Sequence, residues 1–210
     1  SGYNYPEWKG TFYPETLSAG KMLPYYAERF STVEINYTFY RTPTEKILHG
    51  WDIATPDNFR LTLKAPKRIT HDARLRDCGD EVRRFIETAA TLGPKLGVLL
   101  FQLPPNLKKD LERLQTFLGG LPAGARAAFE FRHPSWLEED VFEALRGAGA
   151  ALCIADADPD AAPPALIATA AWGYLRLRRE QYTAEDLDHW AERIRSTSWS
   201  EAFVLADTPG

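Results

Sequence analysis

Cysteine is nearly missing from this sequence: the 210 residues contain two, Cys78 and Cys153. They lie far apart and match no metal-ligand or redox spacing, which excludes a disulfide-built scaffold and a zinc-ribbon site. Both are expected as reduced thiols in a cytoplasmic protein. Long apolar runs are absent as well. None approaches the ~18 residues needed to cross a membrane, so no membrane partner is expected, and no signal peptide is recognisable. An excess of positive charge is also lacking. Lys and Arg number 25 against 29 Asp and Glu, a formal net charge of −4. No general attraction to nucleic acid or anionic lipid follows, and any anion site must be a local cluster.

Several chemical signatures are missing too. No glycine-rich loop is available to cradle a phosphate; "LGG" at 118–120 reads as a helix C-terminus. The four histidines form no His-x-His or HExxH spacing. "DADPD" at 156–160 copies the start of an EF-hand loop, but Ala161 replaces the required glycine and Ile167 the closing glutamate. A resident cofactor is therefore not expected. A divalent metal held by Glu34, His71, Glu130, His133 and Asp156 is a weaker alternative, opposed by the cations among them.

What is present suits one domain over 1–210, with 44% hydrophobic and 12% aromatic residues. Strand-like runs recur at 32–40, 60–65, 96–103, 126–133, 150–156, 172–178 and 201–207. Helix-like runs fall between them at 17–30, 80–92, 108–118, 135–147 and 183–196. The last two open on capping-box signatures, Ser135 with Glu138 and Thr183 with Asp186. The "DADPDAAPPA" stretch reads as a loop within the domain. Alternating strands and helices imply parallel pairing through right-handed crossovers.

The face pattern then favours a closed barrel over an open sheet. Strands of an open parallel sheet are covered on both faces and read as continuous apolar runs. Here Glu34, Asn36 and Thr38 share one face, as do Thr62 and Lys64, then Glu130 and Arg132, then Tyr174, Arg176 and Arg178. Gln102, Asp156 and Asp207 end otherwise apolar strands. A barrel turns the apolar face to surrounding helices and the polar face to its axis, with the site at the C-terminal ends of the strands. The expected fold class is α/β, a TIM-like (β/α)8 barrel. "SGY" would close a first strand that is cut short, and the chain stops just after "FVLAD", so the C-terminal end is expected to be cut short too.

Six ordered stretches, "SGYNYPEWKGTFYP", "TVEINYTFYRTP", "LKAPKRITH", "LGVLLFQLPPNL", "EFRHPSW" and "YLRLR", resemble the YecE-like proteins, a family filed as a domain of unknown function. The resemblance covers nearly the whole chain. It implies a TIM-like barrel and supplies no reaction, so the site must carry the functional argument.

The inward polar set comprises Glu34, Asn36, Lys64, Gln102, Glu130, Arg132, Asp156, Arg176, Arg178 and Asp207, with His71 and His133 at strand ends beside it. Glu130, ionised by Arg132, suits a base or nucleophile, with Glu34 or His71 as its partner. Lys64, Arg132 and Arg176 suit an anionic group, since guanidinium forks match carboxylate and phosphate. Asn36, Gln102, His133 and Asp156 are further substrate contacts. Among the aromatics near the mouth, Tyr3 and Tyr40 are the ligand-stacking candidates, and the rest are expected to anchor loops. The competing structural account is a compensated ion-pair network. The expected function is an enzyme of hydrolase or lyase type acting on a small anionic, sugar-phosphate-like ligand. A nucleic-acid-binding or repair-type barrel and a non-catalytic metabolite binder are the alternatives. The sequence assigns no oligomeric state.

Overall fold

In the computed structural model, which describes residues 2–206, seven parallel strands stand side by side in chain order. They are β1 (Thr32–Ile35), β2 (Arg60–Lys64), β3 (Leu96–Gln102), β4 (Ala127–Glu130), β5 (Ala151–Asp156), β6 (Trp172–Leu177) and β7 (Glu201–Ala206). Every neighbouring pair is hydrogen-bonded in parallel. β1 and β7 approach each other without a ladder among the described residues. The sheet is thus a nearly closed TIM-like barrel. A cavity of about 570 Å³ opens at its seam, lined by Phe12, Tyr26, Phe30 and Val204 among others.

The helices are α1 (Met22–Ala27), α2 (Tyr37–Tyr40), α3 (Glu45–Ile53), α4 (Gly79–Ala90), α5 (Leu111–Gly119), α6 (Glu139–Ala148) and α7 (Ala184–Arg195). A π-helical turn, Arg68–Asp72, follows β2. Two apolar clusters result from the period-two alternation of the strands. One parity, including Val33, Leu63, Phe101, Phe129, Ile154 and Leu175, packs against the helices in the larger core. The other parity, including Val98, Leu100, Ala128, Cys153, Tyr174 and Leu205, fills the lower barrel interior. Phe101 stacks on Phe129 at 5.2 Å between ring centroids. Polar residues of the inward parity sit on top of this apolar plug.

Several expectations change here. The run 32–40 alternates like one strand, yet β1 stops at Ile35 and Tyr37–Tyr40 turn into α2. Thr38 holds that turn: its hydroxyl donates to the carbonyls of Ile35 (3.1 Å) and Lys64 (2.6 Å). β4 likewise stops at Glu130, where its register against β3 ends with Gln102 opposite Glu130. Ser135 does not cap a helix. Pro134–Trp136 form a 3-10 turn, Ser135 accepts from the Lys109 amide, and α6 begins at Glu139 with Glu138 in the N-cap position but making no side-chain cap bond. The Thr183–Asp186 capping box is formed as expected. Helix α3, capped by Thr44, had no counterpart among the helix-like runs. Gly2 and Tyr3, expected to end a strand, have no strand structure, and Asp207 lies outside the described residues.

Candidate functional site

Strand ends bring the inward residues together. Arg176, on β6, is 3% exposed and reaches across the barrel to two carboxylates. Its Nη2 lies 3.0 Å from Glu34 Oε1 and its Nη1 2.6 Å from Glu130 Oε2. Glu34 accepts a second bond from the Tyr174 hydroxyl at 2.7 Å. Glu130 accepts from Gln102 Nε2 at 2.9 Å and from Arg132 Nε at 3.1 Å, and Arg178 Nη1 stands 3.8 Å away. Both carboxylates are essentially buried. A charge in such a place persists only when it is paired and hydrogen-bonded.

The electrostatics follow from this geometry. Burial by itself pushes the Glu130 carboxyl up. The Arg176 charge, the Gln102 amide and Arg132 outweigh burial and hold it below the usual glutamate value. Burial, then Glu34, pushes the Tyr174 phenol well up, so it remains a donor.

Lys64 ends β2 on the inward parity, and its Nζ sits 4.4 Å from the centroid of the Phe39 ring. Among the described residues this ammonium makes no hydrogen bond or ion pair. Burial, then the neighbouring Arg176, lowers its pKa to about 8 against the pull of Glu34 and Glu130. His71 meets the edge of the same ring, 5.0 Å between centroids, and its Nδ1 shares a hydrogen at 2.9 Å with the Thr70 hydroxyl. Burial, then the charges of Lys64 and Arg132, pushes the His71 imidazole below its usual value. Just past this turn, Arg74, Leu75 and Asp77 adopt positive φ of 52°, 66° and 45°. Non-glycine residues in that region are strained, and strain of this kind gathers at functional sites.

Of the sequence-derived set, Glu34, Lys64, Gln102, Glu130, Arg132, Arg176 and Arg178 converge at the axis, with His71 beside them. The other described members do not join them. Asp156 was placed on the axis, but it shares the parity of Leu152 and Ile154 and faces outward. There it pairs with Arg179 (3.0 Å) and the Tyr182 hydroxyl (3.0 Å). His133 turns into its own loop, its Nδ1 2.8 Å from Ser135 Oγ. Asn36 lies beyond the end of β1 and shares a separate cavity of about 320 Å³ with Tyr3 and Trp51. Tyr40 stands 77% exposed on a groove of about 360 Å³ with Arg41, Lys67 and Arg84. His133 and Asp156 thus stand apart from Glu34, Glu130 and His71, and no three His, Cys, Asp or Glu side chains cluster for a metal among the described residues.

Two contributors went unrecognised. Tyr174 was on the inward face, but its bond to Glu34 depends on barrel closure. Phe39 was grouped with the aromatics expected to anchor loops. The Thr42-Pro43 pair that ends this segment was the available signal for a turn.

Comparison with known proteins places the chain among uncharacterised relatives. The profile described as "Protein of unknown function DUF72" matches residues 1–210. The YecE protein of Escherichia coli K12 is 35% identical over 133 residues, covering 62% of this chain and 48% of that protein. The YunF protein of Bacillus subtilis is 28% identical over 145 residues, covering 63% and 50%. The chain spans about half the length of these curated relatives. A crystal structure of a DUF72 family protein from Thermotoga maritima shares the fold with a TM-score of 0.84 and 26% identity, over 99% of this chain and 90% of that one. One from Enterococcus faecalis gives 0.75 at 18% identity, over 88% and 81%.

Proposed function

The chain belongs to the DUF72 family, and from that premise we propose that it is an enzyme of hydrolase or lyase type that takes a small anionic molecule at the C-terminal mouth of its barrel. The observation that carries this reading is the layering of charge at the mouth. Glu34, Glu130 and Arg176 lie buried together, while Arg132 and Arg178 keep about a third of their side chains exposed. Lys64 is half-buried beside them. A ligand entering the barrel therefore meets cations, and the buried carboxylates hold the guanidinium groups in place. Guanidinium forks so oriented match a phosphate or carboxylate bidentately.

The same burial favours a division of roles within the site. Glu130 would have to give up bonds from Gln102, Arg132 and Arg176 before it took a proton, so it serves the field of the site. His71, half-buried and shifted toward its neutral form at neutral pH, is the general acid/base. A cytoplasmic setting suits the free thiols of Cys78 and Cys153.

Thermal unfolding in phosphate, sulfate and small dicarboxylates tests the reading. A ligand at 100 times its Kd adds about 2.7 kcal/mol of stability, so the melting temperature is expected to rise and Arg132→Ala to remove most of the rise. An unchanged shift in Arg132→Ala moves the anion site away from the mouth.

A further inference from the structure

We infer that Lys64 is a covalent nucleophile, whose Nζ forms an imine with a carbonyl compound bearing a carboxylate or phosphate. This rests on the anion-binding reading of the mouth and narrows it to lyase-type chemistry.

Position comes first. Lys64 is the last residue of β2 and points inward, paired across the ladder with Leu100. Groups at the C-terminal ends of barrel strands are where such folds keep reacting atoms. Surroundings come second. The ammonium rests on the Phe39 ring, and no carboxylate lies within ion-pair distance of it among the described residues. Glu34 and Glu130, the nearby acids, are both committed to Arg176. A position needing only packing would be filled by methionine without the desolvation cost of a cation. Desolvation beside other cations is the arrangement that frees a lysine amine for attack on carbonyls. With its pKa near 8, about one Lys64 in ten is neutral at pH 7, against fewer than about one in a thousand for an ordinary lysine.

The step balances without a further reagent. The neutral amine's lone pair forms the C–N bond while the carbonyl oxygen takes up a proton. Nζ then passes one of its two protons to that oxygen, which leaves as water, and a protonated imine remains. Protonated, it draws electrons from the adjacent carbon and so assists cleavage or dehydration there. His71, against the same Phe39 ring, stands where a proton is to be moved. Arg132 and Arg178 would hold the substrate's anionic group, which places its carbonyl over Lys64.

Reductive trapping tests this on the whole chain. Protein is incubated at pH 7 with pyruvate, pyridoxal 5′-phosphate or uncharged acetone, reduced with borohydride, and mapped by peptide mass. The expected adduct lies on Lys64, at least about tenfold over exposed Lys67, and its rate rises with a midpoint near pH 8. Pyruvate or pyridoxal phosphate should exceed acetone, the better of the two telling whether carboxylate or phosphate is preferred, and added phosphate should slow both. Lys64→Arg should lose the adduct. A melting shift with label spread over lysines by exposure overturns the imine and leaves the anion site standing. Loss of both the shift and the adduct overturns both.

Discussion

Glu130 receives a guanidinium from Arg176, an amide from Gln102 and a second guanidinium from Arg132. Breaking one side of a buried pair strands the other, at about 3–5 kcal/mol. Glu130→Gln is therefore expected to lower stability by roughly that amount at neutral pH, read by urea unfolding. The pH dependence has a fixed sign. Because the folded pKa of Glu130 is depressed, its contribution is complete above the ordinary value of 4.5 and is withdrawn as pH falls through the lower folded value. The wild-type urea midpoint should thus fall more steeply than that of Glu130→Gln below about pH 4.5; parallel curves would show the carboxylate carries no net stabilisation. At this scale most of the site was legible, because charge on the inward parity of a strand has few other uses. Asp156 was misplaced although its parity with Leu152 and Ile154 was in plain view. Its position at a strand end, beside true axis residues, was given more weight than period two.

Elements were legible in kind and less so in extent. All seven strands fall where alternation places them, since a side-chain period of two is a local property. Their C-terminal ends were overrun at 36–40 and 131–133, because alternation continues past the point where a neighbouring strand still offers a ladder. Thr38 bonding two carbonyls, and Phe131 stacked 4.7 Å from Trp136, decide those endings. Helix termini respond to local chemistry. Thr183 accepts from the Asp186 amide, so Thr183→Ala should cost about 1 kcal/mol in chemical denaturation. Gly149 follows α6 at φ 64°, and Gly149→Ala should cost about 1–2 kcal/mol through left-handed backbone strain. Ser135→Ala removes no bond to an α6 amide, so the helix start should keep its amide exchange rates; a frayed start would restore Ser135 to the capping role.

The barrel is fastened unevenly as a whole. β3 and β4 are laddered on both sides, whereas β1 and β7 each present one edge to the seam without a shared ladder among the described residues. Local opening begins where backbone bonds are fewest. Amides of β1 and β7 should exchange with solvent sooner than those of β3 and β4, and uniform protection would mean the seam is bonded in solution. The sequence by itself determined that most strands carry an apolar face and a face that turns polar toward their C-terminal ends. That split forces helices outside and a polar axis within, because burying either face wrongly costs more than any local preference returns. Only the tertiary structure decided who pairs on that axis. Arg176 meets Glu130 from 46 positions away and Glu34 from 142, contacts that exist only once strand stagger and near-closure are set. Local sequence carries no record of that geometry. The same closure left Lys64 on an aromatic ring with, among the described residues, no ion-pair partner.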